Sequence, residues 1–327
     1  MKRNRQSGVG RNSGPGFSVL GPADVEDIHL GTLEVLDRTG IFVEDGEPLD
    51  IFADGGCLVD RDRHVVRIPA HVVEEAIGST PPKVVQCGRD PQHDFVMEVG
   101  RVAFCNFDEG IKVQDPFDGA HRDPTIEDVR RLARLVDAMD GMSAYESAVC
   151  ASDVPEATAA IHQAEAALLN TGKCVGTEAL SAFHVRRICE IAEAIVGGPD
   201  DLRRRPIVAF GVCPVSPLQL PRDATEVIIE TARRGLPDTV LSMAMAGASA
   251  PVTLAGTLVT HNAEVLAGIV LAQLTERGAP CVYGTSTTAI DLRLATASVG
   301  SPELALISAA CVQLARRYAL PICVAGA

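Results

Sequence analysis

The 327-residue chain carries 43 Asp and Glu against 29 Lys and Arg, a formal net charge of −14, with 46% hydrophobic and only 4% aromatic residues. The acidic balance disfavours a nucleic-acid partner, whose phosphates require a basic face, and no 18-residue apolar run free of charge predicts a membrane span. The ten dispersed cysteines contain no CxxC pair, which argues against a zinc site or a disulfide framework and for free thiols in a reducing cytoplasm.

Residues 1–20 read as a basic, Gly/Ser/Asn-rich tail without the apolar centre of a signal peptide, hence as disorder. Pro22 to Thr39 has a proline inside its start, apolar residues at Val25, Ile28, Leu33 and Leu36, and Gly40 beyond its end, which predicts a helix. A short helix at Pro48–Ala53 follows, then a hairpin over Cys57–Ile68 turning at Asp60 to Arg63, a helix at Pro69–Ile77, and strands at Lys83–Cys87, Phe95–Val99 and Arg101–Cys105. Residues 21–124 are therefore expected to form an α+β cap region.

From residue 125 the pattern becomes regular. Thr125-Ile-Glu-Asp128 resembles a capping box opening a helix with Val129, Leu132, Val136 and Met139 on one face. Strands are predicted at Ser143–Ala151, Lys173–Thr177, Ile207–Val212, Thr239–Ala244, Cys281–Gly284 and Ile322–Ala325. Helices are predicted between them: Pro155–Asn170 opened by Asp153, Ala182–Val196, one opened by Asp223 and closed at Gly235, Val252–Leu274, and one from Ser301 to Tyr318. Alternating strands and helices mean parallel βαβ units. No glycine-rich dinucleotide fingerprint follows the first strand, and an eight-stranded barrel needs two more units than are present. The expected fold is α/β, an incomplete β/α (TIM-type) barrel of about six of eight units over residues 125–327.

Barrel chemistry sits just after the strands. Those positions hold Tyr145 and Glu146, Thr177 and Glu178, Cys213 and Ser216, Met245, Tyr283 to Ser286 (with Thr285), and Gly326 and Ala327. Lys173 begins its strand, on the stability face, which disfavours a Schiff-base lysine. His261 and Glu264, three apart on a helix, have metal-compatible spacing but read better as mid-helix groups bonded to neighbours, so no metal site is expected. Asp108, Glu109 and Asp115 read as a solvated loop rather than an acid/base pair. Tyr145 and Tyr283 are either cage aromatics for a methylated ammonium or core.

The runs Cys213-Pro-Val-Ser-Pro-Leu218, Leu241-Ser-Met-Ala-Met-Ala-Gly247, Ala250 to Leu266 through Thr-His-Asn-Ala-Glu, Tyr283-Gly-Thr-Ser-Thr-Thr288, Asp291 to Gly300 and Leu320-Pro-Ile-Cys-Val-Ala-Gly-Ala327 closely resemble the trimethylamine methyltransferase family, whose corrinoid-dependent members contain pyrrolysine. With the weaker Ile28–Leu36 stretch, the resemblance covers nearly all the chain after the tail. It implies transfer of a methyl group from trimethylamine to the Co(I) corrinoid of a separate partner protein. It also implies a pyrrolysine, encoded by an in-frame amber codon, directly after the Val-Ala-Gly-small stretch, so that this form ends where amber is read as stop and is expected to be inactive. On this analogy Glu146 or Glu178 is the acid serving the imine nitrogen. Tyr145, Ser216, Met245, Tyr283, Thr285, Ser286, Gly326 and Ala327 would surround the substrate, with no cofactor bound directly. A homo-oligomer is expected. Two alternatives remain open at this point: a family member without pyrrolysine that demethylates a quaternary amine such as glycine betaine, and a short non-catalytic binding or oligomerisation module.

Overall fold

The computed structural model describes residues 16–44 and 46–325. Residues 1–15 of the expected tail, and the expected site residues Gly326 and Ala327, lie outside them. The tail ends earlier than expected. The Val19 and Leu20 amides donate to Gln313 Oε1 at 2.8 and 3.0 Å, and Gln313 Nε2 returns a bond to Leu20 O at 2.8 Å.

The first third builds α1 (Pro22–Glu34), which runs on through a π-helical turn at Val35–Thr39, then β1 (Ile41–Val43), α2 (Glu47–Asp54), β2 (Leu58–Asp60), β3 (Val65–Arg67) and α3 (Ala70–Ser79). Gly40 stops the first helix at φ 77°, and a Cβ there would lie 2.4 Å from Val66 O, so the chain can turn onto β3 only through glycine. A hairpin of β4 (Lys83–Gln86) and β5 (Phe95–Glu98) follows, then the small hairpin β6 (Val113–Gln114) and β7 (His121–Arg122). The expected strand at Arg101–Cys105 does not form. This stretch instead crosses the end of the barrel sheet as a loop, held by the Ser143 amide on Phe104 O at 2.7 Å.

The repeating part runs α4 (Ile126–Asp137), β8 (Ala144–Glu146), α5 (Ala159–Asn170), β9 (Cys174–Glu178), α6 (Ala182–Val196), α7 (Pro199–Arg204), β10 (Val208–Val212), β11 (Gln219–Leu220), α8 (Arg222–Arg234), β12 (Asp238–Ser242), β13 (Met245–Ala246), α9 (Leu254–Thr275), β14 (Cys281–Thr285), β15 (Thr288–Asp291), β16 (Thr296–Ala297), α10 (Pro302–Tyr318) and β17 (Ile322–Val324). Six strands pair in the order β17-β14-β12-β10-β9-β8, every pairing parallel. Sequential order with a helix between neighbours is the signature of a β/α barrel wall.

Side chains alternate across this sheet. Tyr145, Val175, Phe210, Val240 and Tyr283 face the helices and join the main hydrophobic core. Positions one residue out of phase carry Glu146, Gly176, Glu178, Ala209 and Gly284 on the other face. There Phe95 of the β5 hairpin packs on Ala144, Cys174 and Ala209, so the hairpin plugs the end of the sheet where the strands begin. Arg205 clamps it from outside through Asp94, at 2.8 and 3.0 Å.

Helix α9 is the one described helix long and apolar enough to cross a membrane, yet it packs between β12, β14 and the helices α1, α3, α8 and α10. A helix apolar on every side is what a position surrounded by protein requires.

Two local expectations change. The stretch predicted as a strand over Ser143–Ala151 is extended only at Ala144–Glu146, because its remainder must leave the sheet to meet the crossing loop. Asp153 caps α4 rather than α5, accepting from the Ile126 amide at 2.7 Å. Lys173 sits at the strand-start end, as expected. It is 2% exposed, and its Nζ donates to Val136 O and Met139 O at 2.6 and 2.7 Å, closing the C-terminus of α4. Lys173→Met should lower stability by about 2–3 kcal/mol, since two carbonyls lose a charged donor. The urea midpoint at constant m-value measures this, and an unchanged midpoint would contradict the role.

Candidate active site

Strands β8 and β9 end in Glu146 and Glu178, and the register that sets Glu146 beside Gly176 puts both carboxylates on the face away from the helices. The Glu146 carboxyl lies directly against the Gly176 backbone. A Cβ at residue 176 would stand 1.6 Å from Glu146 Oε2. The crossing loop completes the site from above. Asn106 grips the Glu146 backbone in both directions, Nδ2 donating to its carbonyl at 2.8 Å and Oδ1 accepting from its amide at 3.0 Å. The Glu109 amide donates to Ser147 O at 2.8 Å and the Gly110 amide to Ala148 O at 3.0 Å, docking Asn106–Gly110 along the exit of β8. Glu109 adopts φ 56°, an uncommon left-handed conformation for a residue with a side chain. It aims its carboxylate at Cys150, whose thiol donates to Oε2 at 2.8 Å.

Four carboxyls therefore converge, and burial, with like charge beside three of them, raises their affinity for protons. Burial, then Cys105, Asp108 and Glu178, pushes Glu146 well above the ordinary carboxylate range. Burial, then Glu109 and Asp108, brings Glu178 to about 7. Burial also raises Asp108 and Glu109. The thiols respond in the same sense. Cys150 and Cys213 are pushed up to about 12 by burial and the neighbouring carboxylates. Cys105, hydrogen-bonded to Cys323 and half-surrounded by the cluster, is raised as well. Protonated thiols are poor nucleophiles, which leaves the carboxyl groups as the candidates for proton handling at this mouth.

Behind the sheet, α9 holds the strand ends. Glu264, 1% exposed, accepts from Ser216 Oγ at 2.8 Å, the Leu218 amide at 2.9 Å and Ser242 Oγ at 2.6 Å. His261 Nδ1 meets Thr287 Oγ1 at 2.9 Å, and burial lowers its pKa to about 3, so the ring is neutral. Glu264 matches the expected reading of polar groups bonded to neighbours, whereas His261 matches it through Nδ1 alone, its buried Nε2 having no hydrogen-bond partner among the described residues.

Of the residues expected around the substrate, Glu146 and Glu178 meet at the mouth. Ser286 closes β14, its amide on Ser242 O at 3.0 Å, and Met245 is half-buried on β13. Tyr145, Tyr283, Thr285 and Ser216 point elsewhere. Tyr145 and Tyr283 are 1% and 0% exposed on the helix side, and Tyr283 OH donates to Asn262 Oδ1 at 2.9 Å, so these rings are core and form no cage. Thr285 shares that face and bonds the Cys311 thiol. The Ser216 hydroxyl is taken by Glu264. The strand period is the cause: a residue one step along a strand points through the opposite face. Asp108 and Glu109, expected in a solvated loop, are instead part of the mouth, whereas Asp115 caps the turn of the β6–β7 hairpin through the Phe117 amide at 2.8 Å. The signal for Asp108 and Glu109 was the compact Asn106-Phe-Asp-Glu-Gly110 run, in which polar turn residues and glycine follow a hairpin.

Relatives show the same framework. A family model for trimethylamine methyltransferase (MTTB) matches residues 2–327. The trimethylamine methyltransferase MttB of Desulfitobacterium hafniense (strain DSM 10664 / DCB-2) is 46% identical over 321 residues, covering 98% of this chain and 65% of that protein. Its namesake from Methanosarcina thermophila is 41% identical over 330 residues, covering 99% and 68%. A glycine betaine methyltransferase of Desulfitobacterium hafniense (strain Y51) is 30% identical over 308 residues, covering 94% and 64%. In fold, the chain is similar to the crystal structure of the Methanosarcina barkeri monomethylamine methyltransferase, with a TM-score of 0.55 at 15% identity over 92% of this chain and 65% of that one. The chain thus spans about two thirds of the length of these proteins. With the match running through the cap, the six barrel strands and the residues of the mouth, the chain belongs to the trimethylamine methyltransferase family.

Proposed function

We propose that this chain forms the methylamine-binding wall of a β/α-barrel methyltransferase that demethylates trimethylamine in favour of a Co(I) corrinoid carried by a separate protein. The observation that carries this reading is the convergence of Asp108, Glu109, Glu146 and Glu178 at the strand ends with their pKa values raised. Trimethylamine reaches a protein at neutral pH mostly as the ammonium ion, and a site rich in carboxyls attracts that cation and accepts its proton. The residues suit the groups that the resemblance implies by their chemistry: Glu146 and Glu178 end neighbouring strands on the face away from the helices, and their raised proton affinity lets one of them carry the proton an imine takes. When present, the corrinoid supplies the methyl-accepting cobalt nucleophile and a pyrrolysine an electrophilic imine. This chain's part is to hold the proton on Glu146 or Glu178, to orient the amine, and to shield the mouth from water with the Asn106–Gly110 loop. The same charge disfavours glycine betaine, whose carboxylate would face four acids.

The test is methyl transfer by the protein to a Co(I) corrinoid, followed as the loss of Co(I) absorbance with trimethylamine and with glycine betaine supplied separately. Turnover with trimethylamine is expected. Turnover with glycine betaine alone would overturn the substrate assignment.

The pH dependence has a definite sign. Glu178 titrates near 7 in the folded chain, so it is largely protonated at pH 6 and ionised at pH 8. Tetramethylammonium should therefore bind more tightly as pH rises through about 7, by on the order of tenfold, and Glu178→Gln should flatten the profile. Stability moves the other way. A carboxyl whose folded pKa is raised binds more protons folded than unfolded, so its contribution is full below about 4.5 and is lost as pH rises toward 7. Calorimetric titration and thermal melts across this window check both directions.

A further inference from the structure

We propose that Glu264, with His261 one turn earlier on α9, is a positioning residue that sets the loops after β10, β12 and β14 and so fixes the far wall of the mouth opposite Glu146 and Glu178. The inference rests on the reading of the mouth as the methylamine site, but its core is geometric. One side chain on one helix collects donors from two strand exits. Oε2 takes Ser216 Oγ beyond β10 and Ser242 Oγ at the end of β12, while Oε1 takes the Leu218 amide. His261 then reaches the third exit, since Thr287 Oγ1 bonds both its Nδ1 and Ser242 O, the latter at 3.2 Å. Ser242 O also receives the Ser286 amide, so the three exits share one buried polar node.

The node acts on residues that face the site. Cys213 precedes the clamped Ser216–Leu218 turn and interacts with Glu178, Asp108 and Glu109 across the mouth. Leu218 is held at φ 58°, a left-handed conformation that its amide bond to Glu264 fixes. Without that bond the turn has reason to relax, and Cys213 moves with it.

The hydrogen-bond set makes a discriminating prediction. Glutamine at residue 264 keeps a hydrogen bond to each partner: its oxygen accepts from the Leu218 amide, and its NH₂ donates to the two serine oxygens, whose own hydrogens turn away from residue 264. Leucine has nearly the same shape and satisfies none. Pulse alkylation with N-ethylmaleimide, read at Cys213 by peptide mass spectrometry, should therefore be about tenfold faster in Glu264→Leu and within about twofold of wild type in Glu264→Gln, because local opening governs access to the thiol. Tetramethylammonium affinity should fall in the leucine variant and recover in the glutamine variant. Glu178→Gln should weaken tetramethylammonium binding while the Leu218 amide keeps its wild-type protection from hydrogen exchange, which separates the two readings.

Wild-type labelling and binding in a folded Glu264→Leu variant would overturn the proposal, as would a Glu264→Gln variant that behaves like leucine. Should Glu264→Leu fail to fold by circular dichroism, Ser216→Ala removes only the loop's hydroxyl. A rise of about threefold in Cys213 labelling supports the proposal there, and an unchanged rate overturns it. Labelling that responds as expected in a protein that binds no tetramethylammonium would support the positioning of the loops and remove the methylamine reading.

Discussion

Gly176→Ala is expected to lower methyl transfer on the order of 100-fold while leaving the fold in place, an effect of the size seen when a general acid is displaced. The added methyl would stand 1.6 Å from Glu146 Oε2, 2.3 Å from Cδ and 2.6 Å from Oε1, so the entire carboxyl must swing off the sheet. The backbone at residue 176 needs no special dihedral, and glycine is required there only by the approach of Glu146. Alanine should therefore reproduce the kinetic defect of Glu146→Gln, and the double variant should be no worse than either alone, because both remove one group from one place. The measurement is kcat/KM for trimethylamine in the three variants with thermal melts alongside. Full activity in Gly176→Ala would show that the Glu146 carboxyl has no part in the chemistry.

Asn262→Leu should be the most destabilising conservative-volume change in the chain, by about 3 kcal/mol or more. Asn262 is fully buried on α9 at the centre of a chain of bonds whose direction can be followed end to end. His29 Nε2 donates to Glu74 at 2.7 Å, leaving Nδ1 to accept from Tyr318 OH at 3.1 Å. The Tyr318 oxygen accepts from Asn262 Nδ2 at 2.8 Å, which also donates to Thr32 Oγ1 at 2.9 Å, and Asn262 Oδ1 accepts from Tyr283 OH at 2.9 Å. Leucine leaves the Tyr283 hydroxyl buried without its acceptor and removes the bond between Thr32 on α1 of the cap and α9. Adding Tyr283→Phe should recover part of the loss, since the stranded donor disappears with it. Urea midpoints for the two single variants and the pair decide this, and simple additivity would show that the bond carries no coupling.

The helical and strand elements of the barrel wall were legible because each one is locally consistent. The Ala182–Val196 helix has the same limits in the sequence pattern and in the structure, with Ser181 as its N-cap accepting from the His184 amide at 3.4 Å and Gly197 as its left-handed stop. Lys173 was legible by position, as the first residue of a strand in a fold whose chemistry lies at the other end. The site was half legible. Glu146 and Glu178 follow from the rule that strand ends carry function, but Tyr145, Tyr283 and Thr285 satisfy the same rule and turn to the helices. A shift of one residue in a short strand inverts the face, and apolar runs buried on both sides offer no alternation from which to read the phase.

By itself the sequence determined the parallel βαβ order, the helix that follows each of the first five barrel strands, and the family, because these rest on local periodicity, caps and contiguous motifs; the short α7 carried no such signal. Only the tertiary structure decided that the loop around Asp108 and Glu109 folds back over β8. Its docking depends on Asn106 meeting the Glu146 backbone 40 positions away. Proton affinity was likewise out of reach of the sequence, because it follows from how much water and how much like charge surround a carboxyl. Both are fixed only when distant segments are packed together.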